Sequence, residues 1–139
     1  MLVLDTNHFR EIAFRTSLGL RLEERLDRAK EDAVLTIVTA EEVLRGWLAR
    51  VAAARETSEQ INSYRQLDEC IGFLEEYTLL PWDAEAAQQF KTFRARGIRI
   101  GTLDLRIACI TLEHDATLLT RNTVDFAKVP GLRFENWLD

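Results

Sequence analysis

The chain is poor in the residues that mark several classes of protein. Only two of its 139 residues are cysteine, Cys70 and Cys109, and neither has a second cysteine or a histidine at metal-ligand spacing. We expect buried thiols at both positions, which excludes a disulfide scaffold and a cysteine-rich zinc site. Two prolines and six glycines leave no linker, repeat or low-complexity stretch. These absences indicate one domain over residues 1–139.

Long apolar runs and a basic leader are also absent. No run approaches the ~20 apolar residues that a membrane-spanning helix needs. The opening sequence MLVLDTNHFR is acidic at position 5 and lacks the basic start and long apolar stretch of a signal peptide. We therefore expect a cytoplasmic protein. The formal net charge of −5 argues against broad, non-specific nucleic-acid binding but permits a local basic face.

Apolar residues make up 47% of the chain, enough for a substantial core. Short β-like runs predict strands at 1–4, 33–38, 77–82 and 116–120, with a short fifth at 132–137. Longer segments with helical periodicity separate them. Strands that alternate with helices predict parallel pairing, so the expected fold is a three-layer α/β/α sandwich with a central sheet of four to five strands.

Capping residues predict where the helices begin. Asn7 is expected to cap the first helix, and Thr39 with Glu42 three residues later matches a capping box. Asp83 and Thr102 are expected to cap the two helices that follow the third strand. The helix after Thr102 is apolar on nearly every side, which predicts a buried central helix. The other predicted boundaries are a break near Gly19, a cap at Thr57 or Ser58, and a C-terminal glycine at Gly97.

Four acidic residues occupy related positions at the ends of these predicted elements. Asp5, Glu42 and Asp125 come after the first, second and fourth predicted strands, and Asp104 lies in the first turn of the buried helix. Ligands bind beyond the carboxyl ends of the strands in such sheets, so these carboxylates should gather at one edge. They would repel each other unless a cation lay between them, and Mg²⁺ and Mn²⁺ prefer oxygen ligands. The pattern predicts one or two such ions and metal-assisted hydrolysis of a phosphodiester.

The acids and their neighbours are expected to have distinct roles. Asp5 would be the central ligand and Asp104 would complete that pair, while Glu42 and Asp125 would hold a second ion or orient waters. Three further side chains are expected beside the ligands, as hydrogen-bond partners or phosphate contacts: Thr6, Asn122 and Arg121. A basic cluster just before Asp104 either contacts RNA phosphates or forms a solvated helix end: Lys91, Arg94, Arg96 and Arg99.

Each acid also has a simpler structural explanation. A capping box accounts for Glu42 as well as a metal ligand does, and the helix dipole favours Asp104 where it stands. Asp125 could be a turn residue, and Asp5 a helix cap. These explanations do not account for all four together.

A different class of function remains open, in which the acidic pocket binds a cation or a partner without catalysis. Such a domain would be a degenerate nuclease or a receiver-like module. A receiver needs an aspartate after its third strand and a lysine after its fifth, but the third strand here runs into LLPWDAE and no lysine follows the last strand. A phosphatase of the haloacid dehalogenase type needs an aspartate where this chain has Asn7.

Four motifs together resemble a known family. LVLDTN at the start, VTAEEVLRG around position 42, TLDLRIA at 102–108 and LLTRNTVDFAKVPGL at 118–132 resemble the motifs of PIN domains, and more narrowly those of VapC-type toxin ribonucleases. The resemblance covers essentially the whole chain and is most specific in its last block.

The resemblance implies a parallel-sheet fold, a Mg²⁺- or Mn²⁺-dependent endoribonuclease, a cognate VapB-type antitoxin and a homodimer. It places the family's acidic quartet on Asp5, Glu42, Asp104 and Asp125. The pair Glu41–Glu42 makes the second ligand ambiguous. Glu42 is preferred because Gly46 follows four residues later, as in the family's pattern.

Overall fold

The computed structural model describes all 139 residues, as five strands and seven helices. The elements are β1 (Leu2–Leu4), α1 (Thr6–Ala13), α2 (Ser17–Ala29), β2 (Ala33–Thr36), α3 (Ile37–Ala53), α4 (Thr57–Glu75), β3 (Leu79–Leu80), α5 (Ala84–Ala95), α6 (Thr102–Glu113), β4 (Thr117–Leu119), α7 (Thr123–Phe126) and β5 (Arg133–Glu135).

The strands form one parallel sheet in the order β3-β2-β1-β4-β5. The predicted α/β/α architecture is therefore confirmed, with all five strands in the predicted places but shorter. Because β1 lies between β2 and β4, the chain switches direction along the sheet at β1. This is the place where open parallel sheets form their ligand crevices.

Successive residues of β1 point to opposite faces of the sheet, as the strand period requires. Val3 packs into the core that contains Leu118 and the buried residues of α6. Leu2 and Leu4 pack into the other core, with α1 to α4. The predicted buried helix is confirmed, because α6 buries six residues: Leu105, Ile107, Ala108, Cys109, Ile110 and Thr111. Both cysteines are buried free thiols, as expected.

Three of the predicted helix starts are wrong. Asp5, rather than Asn7, caps α1, and Thr36, rather than Thr39, caps α3 through a 3.0 Å hydrogen bond from the Thr39 amide. The predicted second strand therefore ends at Thr36, because Ile37 already begins the helix. The predicted cap at Thr102 is replaced by Gly101.

Other boundaries on the later helices agree only in part with the predictions. The start of α4 has no side-chain cap at Thr57 or Ser58, since Glu56 occupies the cap position without such a bond. Asp83 caps α5 by accepting a 3.0 Å hydrogen bond from the Ala86 amide, as predicted. Gly97 follows the end of α5 with φ +82°, as a C-terminal glycine should.

Gly19 allows α1 and α2 to pack in close contact at their junction. The chain turns at Arg15 and Thr16, and Gly19 lies inside the first turn of α2 rather than at the predicted break. A Cβ at position 19 would lie 2.0 Å from the Glu11 carbonyl oxygen. Glycine is therefore required by the close contact of the two helices.

The sequence also places Tyr64, Leu67, Ile71 and Leu74 on one apolar stripe of α4, but the structure buries only part of this stripe. Leu74 is buried, but Tyr64 and Ile71 are 58% and 42% exposed. The helix instead turns Cys70 and Leu74 toward the core, with Leu67 and Phe73 partly buried beside them. None of the helices combines the length and the apolar character required to cross a bilayer.

Candidate metal centre at the carboxyl edge of the sheet

Asp5 lies at the centre of the site, directly after the central strand β1. Its Oδ1 accepts a 2.8 Å hydrogen bond from the Thr6 amide, so the same carboxylate also caps α1. Its Oδ2 accepts a 2.7 Å hydrogen bond from the Thr120 hydroxyl, which follows β4. Asp5 is only 8% exposed. Two adjacent strands therefore hold one nearly buried carboxylate in a single orientation.

Two further acids meet Asp5 from separate helices. Glu42 is on α3 and Asp104 is in the first turn of α6, and carboxylate oxygens of these three residues lie within 4.8 Å of one another. The structure thus brings together three of the four predicted acids. It also distinguishes the two adjacent glutamates, because Glu41 pairs with Arg45 instead. Glu42 has no capping role, since Thr36 caps α3.

Asp125 reaches this group indirectly, through Asn122. The Asn122 side-chain amide donates hydrogen bonds to Asp104 Oδ2 at 3.2 Å and to Asp125 Oδ2 at 3.0 Å. Lys128 makes a 3.3 Å ion pair with Asp125 Oδ1. The predicted neighbour Asn122 therefore lies at the site, where it joins the fourth acid to the third.

The three clustered acids all resist ionisation. Burial raises the pKa of Asp5 and of Asp104, and the Asp5 charge raises the pKa of Asp104 further. Burial, followed by the charges of Asp5 and Asp104, raises the pKa of Glu42 to about 7. By contrast, hydrogen bonds from Asn122 and Lys128 lower the pKa of Asp125. The excess negative charge is thus confined to the three-acid group.

Two buried oxygens at this group, Oε1 of Glu42 and Oγ1 of Thr6, make no hydrogen bond of normal geometry. The Thr6 hydroxyl lies close enough to Glu42 to oppose the rise in the pKa of its carboxyl, but neither oxygen is fully satisfied. A buried polar atom without a partner costs roughly 1–3 kcal/mol, so such atoms normally face a ligand or an ordered water. Carboxylate and hydroxyl oxygens are the donors that Mg²⁺ and Mn²⁺ prefer. The residues present therefore fit a hard divalent cation.

Thr120 belongs to the site but was not predicted. Its hydroxyl donates to Asp5 and accepts a 3.0 Å hydrogen bond from the Asn122 amide, and the residue is fully buried. The available signal was its position directly after the apolar pair Leu118–Leu119, at the carboxyl end of β4. The motif TRN drew attention instead to the two residues after it.

Arg121 pairs with acidic residues of the chain, and its predicted contact with phosphate stays a prediction. Its guanidinium makes a double hydrogen bond to Asp139, at 3.1 and 3.0 Å, and lies 3.9 Å from Glu11. From the basic cluster, Arg94 donates to the carbonyl oxygens of Ile98 and Ile100 at 2.9 and 3.0 Å. Arg94 therefore holds the loop that leads into α6.

The chain is similar in sequence to curated ribonucleases. Ribonuclease VapC1 of Rickettsia felis is 30% identical over 82 residues, which cover 53% of this chain and 61% of that protein. The chain thus spans about 61% of the length of this curated relative.

Solved structures agree over nearly the whole fold. The VapBC complex of Salmonella typhimurium bound to DNA superposes with a TM-score of 0.73 at 22% identity, over 98% of this chain and 97% of that one. VapBC2 of Rickettsia felis bound to a promoter DNA fragment gives 0.72 at 23% identity, over 98% of each chain. Residues 2–132 match the sequence model of the PIN domain, and the chain therefore belongs to the PIN domain family.

Proposed function

We propose that this protein is a metal-dependent endoribonuclease whose site is formed by Asp5, Glu42, Asp104 and Asp125. The observation that supports this most strongly is the group of three carboxylates within 4.8 Å, together with two buried oxygens, Glu42 Oε1 and Thr6 Oγ1, that make no hydrogen bond of normal geometry. A stable fold gains nothing from carboxylates that raise each other's pKa. The similarity to a VapC ribonuclease supports RNA as the substrate.

Asp5, Glu42 and Asp104 are the residues that would hold Mg²⁺ or Mn²⁺, one or two ions in all. Such an ion, when bound, activates water and stabilises charge on a phosphodiester. The chain's own contribution is orientation. Thr120 and the Thr6 amide fix the two oxygens of Asp5, and Asn122 fixes Asp104 relative to Asp125. The Thr6 hydroxyl lies beside Glu42 at the same site and makes no hydrogen bond of normal geometry.

The test compares two adjacent glutamates. Glu42→Gln removes a carboxylate from the three-acid group, and Glu41→Gln removes one that pairs with Arg45 outside it. With purified protein, single-stranded RNA and Mg²⁺ or Mn²⁺, we expect cleavage by the wild type and by Glu41→Gln, but not by Glu42→Gln. EDTA should stop cleavage. Cation binding without any RNA cleavage would instead support the non-catalytic alternative.

We further propose that the protein acts as a toxin with a VapB-type antitoxin as its partner. The structures it resembles include VapBC complexes from two bacteria. RNA as a substrate is consistent with the cytoplasmic location expected from the sequence. Expression of the wild type should arrest bacterial growth, and co-expression of the protein encoded next to it should restore growth. Growth arrest that persists in Glu42→Gln would separate toxicity from cleavage.

A homodimer is the assembly we propose. The outer face of α4 leaves Ile61 and Tyr64 64% and 58% exposed, one helical turn apart. Apolar side chains exposed together on a helix favour association. Light scattering should give twice the 16.0 kDa chain mass, and Ile61→Glu should return the protein to the monomer.

A further inference from the structure

A pocket adjoins the three-acid group and shares Glu42 with it. Its volume is about 140 Å³, and it extends from Thr6 and Glu42 along α1 and α3. The rest of its lining is two arginines and a short stretch of α3: Arg10, Arg50, Val43, Gly46 and Trp47. One end of the pocket is therefore acidic, the other basic, and its wall apolar.

The two arginines are available to an anion. Neither Arg10 nor Arg50 makes an ion pair, whereas Arg45, Arg121 and Arg133 each pair with a carboxylate. The Arg50 guanidinium instead lies over the Trp47 ring at 4.6 Å, and that of Arg10 over the Phe14 ring at 5.5 Å. Stacked guanidinium groups are held in place while their N–H donors stay free.

The aromatic pair beneath the arginines is itself fixed. Phe14 and Trp47 meet edge to face, with ring centroids 5.9 Å apart. Trp47 is only 8% exposed, so it supports the pocket from below instead of projecting into solvent. The basic end of the pocket is thus preformed, which reduces the entropy lost on binding.

Gly46 leaves the space open. It lies within α3, where glycine weakens a helix relative to alanine, and its φ is not positive. A Cβ at position 46 would meet no atom within 4 Å. Any larger side chain there would enter the pocket without disturbing the fold. Gly72 of α4 has the same freedom but lines no pocket, so it provides a matched control.

We propose that this pocket binds the nucleotide next to the scissile phosphate of single-stranded RNA. Arg10 and Arg50 contact its phosphate, and the apolar wall of Val43 and Trp47 takes its base or sugar. The inference rests on the proposed ribonuclease function. Because Glu42 belongs to both sites, a strand whose phosphate lies at the acid group continues directly into the pocket. Single-stranded RNA presents a phosphate backbone and unpaired bases whose flat faces can pack on apolar side chains.

The test fills the pocket and measures binding without turnover. A fluorescein-labelled single-stranded RNA is titrated against Asp5→Asn protein in Mg²⁺, with Gly46→Leu or Gly72→Leu added. We expect Gly46→Leu to raise the Kd by about tenfold, the effect of losing one bound base, and Gly72→Leu to leave it unchanged. Arg10→Gln with Arg50→Gln should reduce the slope of log Kd against log salt by about 0.7, as expected when one phosphate is no longer neutralised.

Equal RNA affinity of the Gly46→Leu and Gly72→Leu proteins would overturn the proposal. So would normal RNA binding and cleavage by Gly46→Leu together with loss of antitoxin binding, because the pocket would then belong to a protein partner. The two proposals fail separately. If the wild type cleaves no RNA but the Kd difference persists, the nuclease assignment fails and the nucleotide site stands.

Discussion

The Thr120 hydroxyl donates a 2.7 Å hydrogen bond to Asp5 Oδ2, and so joins the ends of the two strands at the switch point of the sheet. This hydrogen bond favours the charged form of the Asp5 carboxylate, whereas burial favours its neutral form. The same hydroxyl accepts a hydrogen bond from the backbone amide of Asn122, whose side chain in turn donates to Asp104. The fully buried Thr120 side chain therefore connects Asp5 to the residue that orients Asp104.

Thr120→Val keeps the shape of this side chain and removes its hydroxyl. The Asn122 amide and Asp5 each lose a partner, so we expect the unfolding free energy to fall by about 1–3 kcal/mol. Mn²⁺ affinity should fall as well, because Asp5 then holds its proton more firmly. Urea denaturation and calorimetric Mn²⁺ titration measure the two effects. Thr120→Ser is the control that keeps both hydrogen bonds; if Val and Ser behave alike, the hydroxyl has no such role.

Removing metal should make stability fall as the pH rises toward and through 7. In the folded protein the Glu42 pKa is about 7, above its ordinary 4.5, so between these values the folded state binds more protons than the unfolded state. The contribution of Glu42 to the unfolding free energy is therefore fully present below pH 4.5 and is lost progressively up to about pH 7.

Glu42→Gln should remove this share of the pH dependence and should be the more stable protein at high pH. Urea denaturation in EDTA across the pH range gives the difference between the two proteins. A difference that does not grow with pH would contradict the expected repulsion.

Divalent cations should stabilise the wild type by relieving the same repulsion. At a free concentration of 100 times the Kd, one bound ion adds about 2.7 kcal/mol to the unfolding free energy. Thermal unfolding with Mg²⁺ or Mn²⁺ should show a rise in Tm for the wild type and for Glu41→Gln, and a much smaller rise for Glu42→Gln. A rise of equal size in all three would place the ion elsewhere.

Asp104→Asn and Asp125→Asn should differ in effect. Asp104 belongs to the three-acid group, whereas Asp125 reaches it only through Asn122 and is already balanced by Lys128. We expect Asp104→Asn to abolish cleavage and Asp125→Asn to retain a measurable rate, with the larger loss of Mn²⁺ affinity in Asp104→Asn. Equal loss in the two variants would show that Asp125 contacts the ion itself.

Gly19→Ala tests the helix contact that holds α1. The added Cβ would lie 2.0 Å from the Glu11 carbonyl oxygen, so the helices must separate, at a cost of about 1–3 kcal/mol in unfolding free energy. Gly72→Ala meets no atom and should instead stabilise the protein, by up to about 1 kcal/mol. The same urea denaturation experiment measures both, and a neutral Gly19→Ala would contradict the close contact.

Much of the fold was predictable because its signals are local. Apolar runs mark the strands, and their alternation with helices requires parallel pairing, which is enough to bring Asp5, Glu42 and Asp104 to one edge. The strand ends were harder to place. Thr36 and Thr39 both suit a cap in local sequence, and only the end of the pairing with β3 at Thr36 decides between them.

What the sequence could not show depends on contacts between distant residues. Asp139 draws Arg121 into an ion pair across 18 residues, and Thr120 meets Asp5 across 115. The local sequence around Arg121 or Thr120 does not indicate which distant residue its side chain contacts. The ion pairs of Arg121 are made with residues that are distant in sequence, which its neighbours in the motif do not indicate.

The position of β1 in the middle of the sheet has a consequence for how the protein is made. Asp5 is synthesised 115 residues before the Thr120 hydroxyl that orients it. Domains fold as units during synthesis, so the nascent chain holds only an unfinished site until β4 has emerged and inserted beside β1. Any activity of the site therefore begins only after β4 and Thr120 have left the ribosome.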